Sequence, residues 1–229
     1  MSVRFKVCCI QDAAELRLAV RYGASAVGLV SAMPSGPGPI PDERIAALAR
    51  AVPPGVASFL LTSARDAAAI AAQVRRLAPA ALQIVDRPEL GCRAALRAAF
   101  PALKLVQVIH VTGPEAVDAA AEVAPDVDAL LLDTGSPTAR VKELGGTGRV
   151  HDWSVSRRIA ESVPVPVWLA GGLTPENVAS AIATVRPFAV DVCSGLRTNG
   201  RLDEAKLARF AAAVRQAGGI LSSESGTTT

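Results

Sequence analysis

Short apolar runs alternate with longer amphipathic, alanine-rich stretches along almost the whole chain. Residues 5–9, 26–30, 56–61, 81–85, 104–110, 129–133, 165–170 and 189–192 read as strands. Most are continuously hydrophobic instead of alternating, the pattern of parallel strands covered on both faces. Helical spacing fills residues 12–22, 42–51, 63–77, 88–99, 113–123, 153–162, 174–185 and 203–216. Ser63, Asp203 and Thr174, the last ahead of Pro175, are capping types at three of the starts. Gly23 and the Val52-Pro53-Pro54-Gly55 break mark two of the stops.

Eight strand–helix units in a row predict an α/β fold, a single (β/α)8 TIM barrel. The rival is an open doubly wound sheet. Its usual G-x-G-x-x-G after the first strand is replaced here by Cys9-Ile10-Gln11-Asp12. The barrel is expected to occupy residues 1–218 of the 229, and the small polar residues of 219–229 to form a flexible tail.

Composition removes several function classes. Aromatic residues are 3% of the chain, too few for a base-stacking surface, and the net charge of +3 is spread over helical segments. No nucleic acid partner is expected. No run approaches the ~20 apolar residues that span a bilayer, and the N-terminus lacks a signal-type stretch. The chain reads as soluble and cytoplasmic, with no membrane partner. Four cysteines, Cys8, Cys9, Cys92 and Cys193, lack Cys/His ligand spacing, so the expectation is a reduced protein without a metal site.

Candidate chemistry lies where strands end. Cys8, in Lys6-Val7-Cys8-Cys9-Ile10, and Asp133, after Leu130-Leu131-Leu132, fall at the C-terminal tips of the first and sixth strands. Such tips share one rim of a barrel, and a thiol and a carboxyl there are a candidate base and acid. Strand alternation puts Lys6 and Cys8 on one face and Cys9 on the other. An inward Lys6 would favour the Cys8 thiolate, with Cys9 facing the helices. Gly171-Gly172 and Ser194-Gly195 follow the last two strands, where released backbone N–H groups can cradle phosphate. Gly145-Gly146-Thr147-Gly148 reads as a lid or a turn, and His110 and His151 read as structural or solvent-facing.

These residues together resemble the phosphoribosylanthranilate isomerase family. Its motifs K-[IV]-C-G-[IL], L-L-L-D, G-G-T-G…[FH]-D-W, L-A-G-G-L-x-P-x-N-V and V-R-P-x-[AG]-V-D-V-x-S-G are met in turn. Here they appear as Lys6-Val7-Cys8-Cys9-Ile10, residues 130–133, residues 145–148 with Asp152-Trp153, residues 169–178 and residues 185–195. The resemblance implies an Amadori rearrangement with Cys8 as general base, Asp133 as general acid and no cofactor. It places substrate phosphate on Gly171, Gly172, Ser194 and Gly195, with Lys6, Gln83, Gly146 and Asp191 supporting the pocket. The partner implied is a small phosphorylated aminosugar, bound by a monomer or homodimer.

Three positions depart from the family pattern. Cys9 stands for the usual glycine. Ser35-Gly36-Pro37-Gly38-Pro39-Ile40 lacks the arginine of S-x-R-[YF]-[IV] that grips the anthranilate carboxylate. Val85 stands for the histidine of V-Q-L-H-G. The missing arginine keeps two alternatives open, an isomerase for another phosphorylated aminosugar and a non-catalytic phosphate-ligand-binding paralogue.

Overall fold

The computed structural model describes residues 3–34, 36, 38–135 and 150–224, with side chains up to residue 219. Eight strands close into a parallel barrel in sequence order: β1 (Arg4–Val7), β2 (Ala26–Val30), β3 (Ala57–Thr62), β4 (Ala81–Ile84), β5 (Lys104–His110), β6 (Ala129–Asp133), β7 (Val167–Leu169) and β8 (Ala189–Val192). β8 returns to β1 through the register Arg4↔Ala189 to Val7↔Val192. Around them lie α1 (Ala13–Arg21), α2 (Asp42–Ala51), α3 (Ala67–Leu77), α4 (Cys92–Ala99), α5 (Ala116–Val123), α6 (Trp153–Ser162), α7 (Val178–Val185) and α8 (Glu204–Glu224). A short antiparallel pair, β9 (Arg197–Thr198) and β10 (Arg201–Leu202), precedes α8.

Strand alternation divides the buried side chains into two shells. Phe5, Val7, Val27, Leu29, Leu60, Leu82, Leu105, Leu130, Leu132, Leu169 and Val190 face the helices. Ala26, Val30, Phe59, Leu61, Ala81, Val106, Val108, Leu131, Trp168 and Ala189 fill the barrel interior. The inner shell is largely small or β-branched, with the Phe59 ring tilted against Trp168 at 5.2 Å between centroids. Layered filling of this kind closes the bottom of a barrel and leaves its C-terminal mouth for chemistry.

The strands lie close to their expected positions, and β2, β5, β6 and β8 match them residue for residue. The differences concentrate at element ends. β1 stops at Val7, not Cys9, because Cys9 adopts a left-handed backbone with φ 63° that no strand accommodates. α3 starts at Ala67, not Ser63: the Asp66 carboxylate accepts from the Ala69 N–H at 2.8 Å and serves as the cap. α7 is counted from Val178, yet Thr174 behaves as the expected cap. Its hydroxyl accepts from the Glu176 N–H, and its own N–H donates to Asn177 Oδ1. α8 continues past Gln216 to Glu224, extending the helix into the segment expected to be a polar tail.

Candidate active site

Four functional groups from three strands and one strand tip converge in the upper barrel. Lys6 and Asp191 are register partners on β1 and β8, and their side chains form an ion pair at 2.7 Å. Lys6 has no exposed surface, and its ammonium also lies 5.5 Å from the centre of the Phe59 ring. Burial works against this ammonium, but Asp191 and then Cys8 more than compensate and hold its pKa above the ordinary lysine range. Lys6 is therefore a permanent positive charge inside the barrel.

Cys8 follows directly, its N–H donating to Val192 O at 2.8 Å and its side chain buried. A glycine on the neighbouring strand makes room for both groups. A Cβ on Gly28 would stand 2.7 Å from Cys8 Sγ and 3.1 Å from Lys6 Nζ. Gly28 is not among the expected site residues. An isolated glycine inside an apolar strand is the signal that marks such a close approach.

Asp133 ends β6 on the same inner face and keeps partial exposure. Burial, then the nearby Asp191 carboxylate, push its pKa from 3.8 to about 8; the Thr134 N–H, donating at 2.7 Å, pulls the other way. The Cys8 and Lys6 charges also act on it, so acid, thiol, ammonium and second carboxylate share one electrostatic environment. At neutral pH this environment favours the protonated carboxyl.

Two turns border this centre. Gly171 and Gly172 after β7 both have positive φ, 87° and 63°. The Asn177 side-chain amide donates to Gly172 O at 2.9 Å and fixes the loop. Gly195, in the short 3-10 turn Ser194–Leu196 after β8, is packed so closely on this loop that a Cβ would fall 1.9 Å from Leu173 O. The two glycine turns therefore form one continuous backbone surface. Gly171 also lies against Thr134 and His151.

The remaining expected residues separate clearly. Gln83 is on the inner face of β4 with its Oε1 buried; that atom and Asp191 Oδ1 have no hydrogen-bond partner among the described residues. Gly146 and the rest of 145–148 lie outside the described residues. His110 Nε2 sits 3.0 Å from Val85 O, and His151 Nε2 2.6 Å from Ser156 Oγ, both structural contacts. Burial lowers the His151 pKa to about 4, so it is neutral at pH 7.

One expectation is corrected. Cys9 does not face the helices; it joins the inner cluster with Cys8, because its left-handed backbone breaks the alternation. The family's glycine would adopt that conformation without cost, whereas a side chain there costs roughly 1–2 kcal/mol. A clamp that the sequence did not reveal holds this turn. Arg197 donates to Cys9 O and, at 3.4 Å, to Cys8 O, while pairing with buried Glu15 at 3.1 Å. Glu15 in turn accepts from the Gln11 and Leu202 N–H groups. Among the described residues no cluster of three His, Cys, Asp or Glu is placed to hold a metal ion, and no helix is long and apolar enough to cross a membrane.

A protonated carboxyl and a thiol flanking a buried ammonium at a barrel mouth define a (β/α)8 protein equipped for proton transfer. A family model described as N-(5'phosphoribosyl)anthranilate (PRA) isomerase matches residues 5–213. N-(5'-phosphoribosyl)anthranilate isomerase 2 of Methanosarcina mazei is 39% identical over 210 residues, covering 91% of this chain and 92% of the relative. The isomerase of Halobacterium salinarum strain R1 is 40% identical over 211 residues, covering 91% and 94%. The crystal structure of the Thermotoga maritima isomerase superposes with a TM-score of 0.79 at 28% identity, covering 93% of this chain and 99% of that one. The chain belongs to the phosphoribosylanthranilate isomerase family, isomerases of tryptophan biosynthesis.

Proposed function

We propose that the chain converts N-(5-phosphoribosyl)anthranilate to the carboxyphenylamino-deoxyribulose phosphate, with Asp133 as general acid and Cys8 as general base. The observation that carries this reading is the convergence of Asp133, at the end of β6, with Cys8 and the Lys6–Asp191 pair in one buried centre, where burial favours the protonated carboxyl. Asp133 gives its proton to the ring oxygen, and the C1–O bond breaks. The nitrogen lone pair forms an iminium at C1. That positive charge acidifies the C2 hydrogen, which Cys8 removes as a thiolate with the Lys6 ammonium as its neighbouring counter-charge. The electron pair of the C2–H bond forms the C1=C2 bond and neutralises the iminium. The resulting enolamine tautomerises to the C2 ketone.

Each step moves only protons and electron pairs within the substrate, so the residues present suffice. Gly171, Gly172, Ser194 and Gly195 hold the phosphate by backbone N–H groups, supplying binding energy remote from the reacting carbons. Gln83 Oε1 and Asp191 Oδ1, buried acceptors without a protein partner among the described residues, suit the sugar hydroxyls. A solved family structure at 26% identity and TM-score 0.76 is a complex with reduced 1-(o-carboxyphenylamino)-1-deoxyribulose 5-phosphate, in agreement with such a ligand.

A second reading keeps the chemistry and changes the aryl end. Residues 31–41 contain no arginine or lysine, and a lost charge-assisted bond to a carboxylate costs roughly 1.5–3 kcal/mol. That favours a phosphorylated aminosugar without the carboxylate. Complementation of a tryptophan auxotroph lacking this isomerase distinguishes the two. Growth with the unaltered chain, lost in Cys8→Ala and Asp133→Asn, supports the first. No growth, together with turnover of a decarboxylated substrate, supports the second. Growth that survives both substitutions rejects the assigned roles.

A further inference from the structure

Three strands each carry one buried acceptor atom with no hydrogen-bond partner among the described residues: Gln83 Oε1 on β4, Asp191 Oδ1 on β8 and His110 Nδ1 at the tip of β5. The first two belong to the site already described; the third has no role there. His110 nevertheless lies on the inner face. β5 and β6 pair as Val106↔Ala129, Val108↔Leu131 and His110↔Asp133, and the first two pairs fill the barrel interior. Val111, one residue further on, faces the helices again. Register partners on parallel strands project to the same side about 4.8 Å apart. The imidazole is thus the lateral neighbour of the Asp133 carboxyl.

Hydrogen bonding fixes what this imidazole can do. A carbonyl only accepts, so the 3.0 Å contact with Val85 O makes Nε2 the protonated nitrogen. Burial holds the ring below the ordinary histidine range, so it is neutral at pH 7. Nδ1 is therefore a lone-pair acceptor, and a buried acceptor left unpaired is unfavourable until a ligand supplies the donor. The side chain as a whole keeps some solvent contact at the barrel mouth. The sugar of the isomerase substrate has two hydroxyls while its ring is closed and three once the ring oxygen is released. Three inner-face acceptors match the open form.

Resting on the isomerase reading above, we propose that His110 is a further substrate-binding residue, whose Nδ1 accepts a hydrogen bond from the open-chain sugar. With Gln83 and Asp191 it completes one acceptor for each of the three hydroxyls. One of these contacts has no donor in the closed ring. The place of His110 beside Asp133, the group that protonates the ring oxygen, assigns it to that contact. The bond is gained only as the ring opens, so it favours ring opening over binding of the closed substrate.

Two substitutions separate this role from the structural bond to Val85. Glutamine keeps a donor where Nε2 stands and has no acceptor where Nδ1 stands; asparagine does the reverse. His110→Gln should lower kcat about three- to tenfold, the worth of one neutral hydrogen bond, with KM within about twofold. In calorimetry its Kd for the reduced, open-chain product should rise by the same factor. Its Kd for 1,4-anhydroribitol 5-phosphate, a closed ring with two hydroxyls, should stay within about twofold of the unaltered chain. His110→Asn should recover most of the loss in kcat yet unfold at lower urea concentration, because Val85 O has lost its donor. The reverse order, with glutamine fully active and asparagine impaired, makes His110 purely structural and overturns the proposal. Equal weakening of both ligands, or a rise in KM alone, also overturns it. An unaltered chain that binds the closed-ring phosphate but not the reduced product overturns the isomerase reading, and the proposal with it.

Discussion

Replacing Asp133 by asparagine separates a catalytic carboxyl from a structural one, because the two roles move activity and stability in opposite directions. The environment of Asp133 raises its pKa from 3.8 to about 8. At pH 7 about nine-tenths of the folded molecules then carry the acidic proton, against roughly one in a thousand for an ordinary aspartate. Asparagine fills the same space and can still donate a hydrogen bond, but it cannot transfer a proton. The expected loss in kcat is about 10²–10⁴-fold, the usual contribution of a positioned acid.

Stability should respond the other way. Between about pH 4 and pH 8 the folded chain keeps a proton that the unfolded chain has released, so stability falls as pH rises through that window. The residual solvent contact of Asp133 screens the effect to about 1–3 kcal/mol. The asparagine side chain has no such ionisation, so Asp133→Asn should match the unaltered chain at pH 4 and exceed it at pH 8. Urea unfolding at the two pH values, beside steady-state kinetics, reads both quantities. A variant that loses stability equally at both pH values, or keeps its activity, refutes the reasoning. In the unaltered enzyme, activity should decline as pH rises past about 8, where the acid is ionised.

Gly28→Ala places a methyl group 2.7 Å from Cys8 Sγ and 3.1 Å from Lys6 Nζ. It should lower kcat at least about tenfold by displacing the base, for a stability loss of about 1–3 kcal/mol in urea. Lys6→Met strands the Asp191 carboxylate in the barrel and should cost about 3–5 kcal/mol, partly recovered when Asp191→Asn is added; denaturation of the single and double variants measures this. Gly195→Ala drives a Cβ to 1.9 Å from Leu173 O and must separate the two glycine turns. Its KM for the phosphorylated substrate should rise and inhibition by inorganic phosphate weaken, read by competition kinetics.

The barrel is legible in the sequence because each apolar run carries its own signal. β5 and β6 need only a local pattern to be placed, and their tips bring His110 and Asp133 into register without further information. Cys8 and Asp133 are legible for the same reason, since a reactive side chain that closes an apolar run falls on the rim where barrels do their chemistry. What escapes depends on contacts distant in sequence. Glu15 and Arg197 are 182 residues apart, and nothing local announces that they clamp the Cys9 turn. The cap of α3 at Asp66 escapes because Ser63 is as good a cap in isolation, and only the tertiary course of the chain chooses between them. Cys9 shows the same limit: alternation assumes a strand, and the strand ends two residues earlier.

The most direct measurement is a crystal structure of the chain with the reduced product bound. The account predicts phosphate on the Gly171-Gly172 and Ser194-Gly195 turns, Cys8 Sγ about 3–3.5 Å from sugar C2, and Asp133 in hydrogen-bond reach of the oxygen released on ring opening. A ligand anchored elsewhere, or one that presents neither atom to this pair, contradicts it.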